Sequence, residues 1–552
     1  MRNGLTWKLA GILFMTVSGI ALTFNLKQRY DVLFGDEMTY LYSGLTYTFP
    51  PDPKLAQWGS LYAAWYRFLG VFTGDTLDQF YLNWQLLILL SGVLLFLYLY
   101  LRRSGFLVSL FCALCFQFSS LNVLLDPRIS AFTLCLILAG LCVVQSRRWS
   151  AQAVMLITAL TALVCAYVRP EFYVTMLIAC GIALGLFFVP YFRRRGEATR
   201  MGLVGLAGVA ALIVVMLVVF GNPLSEGNRS FDAFVQHFSI NYNTWHNHPV
   251  NIPIVDQFRL IADVFGSDVQ SMSDAFRAEP GLVIRHFWTN FVHTLREEVR
   301  VMTGVLFDTP LTYLTSPYRK WILAALFAVV AGLLINWPAT FRQWSAGARK
   351  LTSRELALFL LLFPSLVSVI LVYPRIHYLY FHAVGLLTVA AFFLKNIQIR
   401  PIRTPVRVAG LTALMAVWVI YQSVRRQVPA PTPVADNIRF IRSLSLRGTV
   451  SSLEREWYRV FLYGQEQSPR WVRVELYPPN SDFTTFLREH EVNFILMTRD
   501  MQKYFARDSG FSAFLTRAES DGFVRVKTPE PGSYLLIRQD LLAKGALASR
   551  LF

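Results

Sequence analysis

YLNWQLLILLSGVLLFLYLYLRR, residues 81–103, decides the fold. Residues 81–101 carry no charged side chain, a run long enough to cross a ~30 Å hydrocarbon core as a helix, and Arg102 and Arg103 close it. Ten further apolar runs of similar kind lie at roughly 7–24, 106–125, 129–145, 151–168, 171–192, 201–220, 318–337, 355–373, 379–397 and 405–424. The fourth of the eleven runs is short, and Pro170 breaks the fifth from the sixth, because proline and the residue before it disfavour continuous helix. Arg2 and Lys8 give the first run the look of a secretory signal, but no small-residue cleavage site follows, so it reads as an uncleaved helix.

The arginines and lysines at the ends of these runs and between them set the orientation. Arg2, Lys8, Arg102, Arg103, Arg147, Arg148, Arg193, Arg194, Arg195, Arg200, Arg342, Arg349, Lys350, Arg354, Lys395, Arg400, Arg403 and Arg407 fall on one side. The short loops of the other side carry only Arg128, Arg169 and Arg375. Short cytoplasmic loops concentrate positive charge, so the amino terminus is expected in the cytoplasm and the carboxyl terminus outside a cell membrane crossed many times. The long loops 25–80 and 221–317 would then also lie outside.

Composition agrees. Of 552 residues 55% are hydrophobic and 16% charged, with a mean hydropathy of +0.43. Soluble domains carry about 25% charged residues, so much of this surface is expected to face lipid. The net charge of +18 admits nucleic acid in principle, but the positives sit in short clusters between apolar runs and mark topology instead. All six cysteines lie in or at the ends of apolar runs, which implies no disulfide framework.

From about 425 the composition changes. Charges become regular, Pro429, Pro431 and Pro433 form a stiff lead-in, and patterns such as VNFILM (492–497) and GFVRVK (522–527) suggest strands. The expected organisation is therefore a polytopic α-helical membrane domain of about eleven transmembrane helices over 1–424, followed by a small α/β extracytoplasmic domain over 425–552. Residues 281–307 space apolar side chains like an amphipathic helix packed at the interface.

No span carries an ionisable residue near its middle, which disfavours an ion-coupled transporter. Charged residues gather instead at the outer helix ends: Asp36 and Glu37, Asp126 and Arg128, Arg169 and Glu171, Arg375 and His377. Carboxylates beside arginines suit a reaction on an anionic lipid-linked substrate. Asp36 and Glu37 in LFGDEMTYLYSG point about 100° apart if helical, so only one can face a given atom. Such an acid can be a general base or a metal ligand, and equally a pair favoured at a helix amino terminus after Gly35. Asp126 in LLDPRIS offers a second acid, or a turn that caps the next helix. Arg169 and Arg375 are lone positives where charge bias prefers none, and a guanidinium forks onto phosphate, with His377 a further donor. His246 and His248 read as surface residues, and Cys112 and Cys115, despite their CxxC spacing, as packing within a span.

GDEMTY at 35–40, the Trp-containing stretch WGSLYAAWYRFLGVFTGD at 58–75, the acid Asp126 and the Arg375, His377, Tyr378 motif together resemble the GT-C membrane glycosyltransferases, in particular the branch of protein mannosyltransferases and lipid A aminoarabinose transferases. In place of that family's Lys-Pro-Pro segment stands PPDPK at 50–54. The resemblance implies inverting transfer of a sugar from a polyprenyl-phosphate-linked donor to a glycan, lipid or protein acceptor at the outer face of the membrane. It implies Asp36 as base with Glu37 supporting or exchanging with it. Arg375, Arg169, His377 and Arg128 would bind the donor phosphate, and Asp126, Tyr40 and Tyr378 would line the acceptor side. A divalent metal ion between Asp36 and Asp126 is the cofactor this pattern leaves open; nucleic acid is not an expected partner. The alternative is a non-catalytic polyprenyl-phosphate-binding or flippase-like membrane protein of envelope glycan assembly.

Overall fold

The computed structural model describes residues 2–49, 59–124, 126–193, 198–223, 229–250, 252–309, 318, 325, 335–347, 352–397, 404–444, 446, 448–462 and 470–542. Up to Arg425 these residues are helix after helix: α1 (Arg2–Thr23), α2 (Asp36–Leu45), α3 (Ser60–Leu69), α4 (Thr76–Leu101), α5 (Phe106–Gln117), α6 (Ile129–Ser146), α7 (Ala151–Ala166), α8 (Phe172–Arg193) and α9 (Ala198–Phe220). Then come α10 (Arg229–Trp245), α11 (Ile254–Phe265), α12 (Met272–Ala278), α13 (Pro280–Thr303), α14 (Trp337–Gly347), α15 (Ser353–Leu371), α16 (Leu379–Lys395) and α17 (Thr404–Arg425). Leu5–Gln28, Thr76–Leu101, Ile129–Ser146, Gly202–Phe220 and Ser353–Leu371 are long and apolar enough to cross a membrane by length and composition. Every expected span overlaps a helix except 318–337, most of which lies outside the described residues, as does PPDPK at 50–54.

One span departs from its expected form. The run 106–125 is helical only to Gln117, too short alone to cross ~30 Å. Buried Asn122 accounts for the break: its Nδ2 donates to Ile88 O (3.1 Å) and Gln117 O (3.2 Å), while its Oδ1 accepts from Ser91 (2.6 Å). Irregular backbone at membrane depth persists only where protein covers it, and here α4 does.

Between α9 and α14 the long loop builds its own apolar cluster, in which Phe231, Phe234 and Phe238 of α10 pack on Ile261 and Phe265 of α11 and Val283 of α13. The amphipathic helix expected at 281–307 is α13, which packs on α15 and α16. The tail forms α18 (Pro433–Ser443) and a five-stranded sheet of β1 (Ser451–Leu453), β2 (Arg470–Val472), β3 (Phe494–Met497), β4 (Phe523–Lys527) and β5 (Tyr534–Arg538) in the order β2-β1-β3-β5-β4. β1 runs parallel to β2 and β3; β5 runs antiparallel to β3 and β4. Central β3 is buried throughout, whereas edge strand β4 buries Phe523 and Val526 and exposes Arg525 and Lys527.

The sheet domain is tied to the helical bundle close to α2. Asp31 accepts from the Val434 and Ala435 amides at the start of α18, both at 2.8 Å, so a residue distant in sequence caps this helix. Arg442 bonds Asp75 and donates to Thr76 Oγ1 (2.6 Å) at the start of α4. Phe34, two residues before Asp36, packs its ring on Tyr458 at 4.7 Å.

Candidate active site

The extended chain ends at Gly35, and α2 begins with Asp36 and Glu37 in its first turn, where the helix dipole favours negative charge. The helix buries Glu37, Met38, Tyr40, Leu41 and Gly44, so the two acids diverge: Asp36 is exposed and Glu37 is 1% exposed. Gly44 lets α3 come close; a Cβ there would stand 2.4 Å from the Tyr66 Cβ. Gly59, at φ +79, starts α3 in the left-handed region, and the Leu61 amide donates to Tyr167 O (3.1 Å), docking α3 on the end of α7.

Glu37 faces a cage. Tyr62, one turn before Tyr66 on α3, donates to its Oε1 at 2.5 Å; Tyr66 donates to the same oxygen, and Asn83 of α4 adds a 3.2 Å bond. Asn83 also donates to the Tyr62 and Tyr66 hydroxyls at 2.7 and 2.8 Å, and its Oδ1 accepts from Trp65 Nε1 at 2.8 Å. Burial raises the Glu37 carboxyl to about 7 against the pull of both tyrosine hydroxyls, with Asp126 adding repulsion and Arg128 attraction.

Asp126, buried just before α6, pairs with Arg128 at 3.1 Å. Burial raises its carboxyl above the usual range, Arg128 opposes this and Asp36 reinforces it. The expected cap is absent: Arg128 occupies the N-cap position of α6 without a side-chain cap bond. Arg169, in the break between α7 and α8 expected at Pro170, is buried; its Nε donates to Glu171 (2.6 Å), its Nη1 donates to Ser130 Oγ (2.6 Å), and the Tyr378 ring lies 4.3 Å from its guanidinium carbon.

Arg375 follows the end of α15 and is half-buried. Its Nε donates to His237 Nε2 and its Nη2 to Gln236 Oε1, both at 2.8 Å. His377 is pushed well below the usual histidine range by burial, then by Arg169, Arg128, Arg375 and His237. Burial, Arg229 and Asp36 act on Tyr40, which accepts a 3.4 Å bond from Arg229.

These electrostatic links connect Asp36, Glu37, Tyr40, Asp126, Arg128, Arg169, Arg375 and His377. Asp36 acts on Asp126 and Tyr40, Arg128 on Glu37 and His377, and Arg169 and Arg375 on His377. Among the described residues no group of three or more His, Cys, Asp or Glu side chains could hold a metal ion, and Asp126 is paired to a guanidinium. The Tyr62, Tyr66 and Asn83 cage and the Gln236 and His237 pair were not anticipated. The four-residue spacing of Tyr62 and Tyr66 was a visible sign; nothing in the sequence joined α10 to Arg375. His246 and His248 are exposed, and Cys112 and Cys115 are buried free thiols of α5.

No protein-family model matches the sequence, and no curated protein matches it. Among solved structures, the chain is similar to apo ArnT from Cupriavidus metallidurans at 12% sequence identity, covering 98% of this chain and 99% of that one, with a TM-score of 0.36.

Proposed function

We propose that this chain is a GT-C-type glycosyltransferase that transfers a sugar, with inversion, from a polyprenyl-phosphate-linked donor to an acceptor at the outer face of a cell membrane. The observation that supports the reading best is that the exposed carboxylate Asp36 acts on Asp126, which is ion-paired to Arg128 at 3.1 Å, while Arg128, Arg169 and Arg375 all act on His377. Asp36 takes the proton of the acceptor hydroxyl as its oxygen bonds the anomeric carbon, while the bond from that carbon to the phosphate oxygen breaks and polyprenyl phosphate leaves. Arg375, together with Arg128, stabilises the charge that builds on the departing phosphate. Arg169, bound to Glu171 and Ser130 and packed on the Tyr378 ring, orders the segment between α7 and α8. Caged Glu37 holds α2 to α3 and α4 rather than exchanging roles with Asp36.

Asp36→Asn in the purified protein reconstituted with extracted polyprenyl-linked sugars tests this. Transfer should fall by at least about a hundredfold, the scale of general base catalysis, with donor binding retained. Full transfer by the variant would refute the base assignment. A protein in which wild type binds donor but never transfers is the lipid-binding alternative.

A further inference from the structure

Arginines in this cluster fall into two kinds. Arg128 pairs with Asp126 and Arg169 with Glu171, so each of these charges has an anion beside it. Arg375 is bound by two neutral acceptors instead. We infer that Gln236 and His237 of α10 are positioning residues that fix the Arg375 guanidinium by one edge, so that its other edge, ion-paired to no carboxylate among the described residues, presents a fork to a lipid phosphate. The inference rests on the assignment of Arg375 to the donor phosphate.

The geometry is specific. Nε and Nη2 form one edge of a guanidinium, and both of their bonds end on α10. The end formed by Nη1 and Nη2 is the edge that can still grip two phosphate oxygens. His237 accepts at Nε2 because its Nδ1 donates to Ala233 O (2.6 Å), which fixes the tautomer, and its ring stacks on Tyr373 with centroids 5.2 Å apart. Asn290 of α13 donates to Ile370 O (3.0 Å) and Val372 O (2.9 Å), anchoring the end of α15 just before Arg375, and Asn241 of α10 donates to Asn290 Oδ1 at 2.9 Å. The long loop thus forms a polar frame around the segment that carries the arginine. A carboxylate at position 236 or 237 would hold the guanidinium equally well but cancel its charge.

That difference supplies the test. Farnesyl phosphate is titrated into the full chain in detergent micelles by calorimetry, with farnesol as the probe lacking phosphate, and Tm is followed by intrinsic fluorescence. Gln236→Glu keeps the hydrogen bond and should weaken farnesyl phosphate binding by about tenfold or more, without lowering Tm or changing farnesol binding. His237→Phe keeps the ring stack, removes the acceptor, and should weaken binding to a similar degree. Should His237→Phe fail to fold, the isosteric Gln236→Glu decides alone. Wild-type affinity in Gln236→Glu, or equal losses for farnesol and farnesyl phosphate, overturns the inference. Arg375→Ala separates the levels: unchanged binding there refutes the donor-phosphate assignment itself, whereas loss there with wild-type affinity in Gln236→Glu refutes only the positioning role.

Discussion

Glu37→Gln distinguishes a buried scaffold acid from a catalytic one, because the two roles predict opposite results. Burial raises the carboxyl from its ordinary 4.5 to about 7, and a shift of that size corresponds to about 3 kcal/mol of penalty on the ionised form. A carboxyl whose folded pKa is raised contributes stability that is fully present below pH 4.5 and is lost as pH rises through 7. His237 runs the other way: burial and Arg375 lower it to about 4, so its neutral form supports the fold above pH 6.5 and that support fades as pH falls through 4. The variant-minus-wild-type difference cancels His237 and isolates Glu37. Glutamine retains an oxygen to accept from Tyr62 and Tyr66 and carries no charge. Relative to wild type, Glu37→Gln should therefore gain stability progressively from pH 4.5 to 8, by up to about 3 kcal/mol, with sugar transfer largely retained. Glu37→Leu should lose several kcal/mol at every pH, since it strands two buried hydroxyls and an amide at about 1–3 kcal/mol each. Thermal unfolding in detergent at pH 5, 6, 7 and 8, paired with the transfer assay, reads both quantities. A Glu37→Gln protein that folds normally but transfers nothing, beside an active Asp36→Asn, would place the base at Glu37 and refute the argument.

Two further perturbations probe how the site is held. Gly44→Ala puts a Cβ 2.4 Å from the Tyr66 Cβ, so α2 and α3 must separate; a loss of about 1–3 kcal/mol is expected on thermal unfolding, and an unchanged Tm would contradict this close approach. Asp31→Ala removes both side-chain bonds to the first turn of α18, worth about 1 kcal/mol as a cap, and should speed limited proteolysis near residues 427–434, where wild-type cleavage kinetics would show that the cap does not restrain the tail.

What the sequence revealed depended on how local the cause was. Spans were legible because lipid imposes its demand residue by residue: a helix must stay apolar for the thickness of the bilayer, and 81–101 does so without any partner. Asn122 was harder to read, because the end of α5 is set by carbonyls of Ile88 and Gln117 and by Ser91, which only packing brings together. The acids show the same division. That Asp36 and Glu37 start a helix and diverge follows from Gly35 and the helical repeat. Which of them faces outward depended on Tyr62, Tyr66 and Asn83. His237 lies 138 residues from Arg375, and no spacing rule spans that distance.

The charge pattern carries the mechanistic argument further than the list of residues does. Asp126 with Arg128 and Arg169 with Glu171 are near-neutral pairs, polar enough to orient groups but weak in net field. Glu37, shifted to about 7, is partly protonated near neutral pH, and His377 is held neutral by burial and three arginines. Of the residues singled out from the sequence there remain Asp36, which is exposed, and Arg375, bound to neutral partners. In the proposed transfer, negative charge leaves the base as it takes a proton and accumulates on the departing phosphate. An exposed acid and a guanidinium held by neutral partners match the two ends of that displacement, and the near-neutral pairs add little field to oppose it. Adding an anion beside Arg375 would then cost more than removing one beside Arg169, although Arg169 is the more deeply buried. Comparing transfer rates of Gln236→Glu and Glu171→Gln tests that ordering, and a slower Glu171→Gln would reverse it.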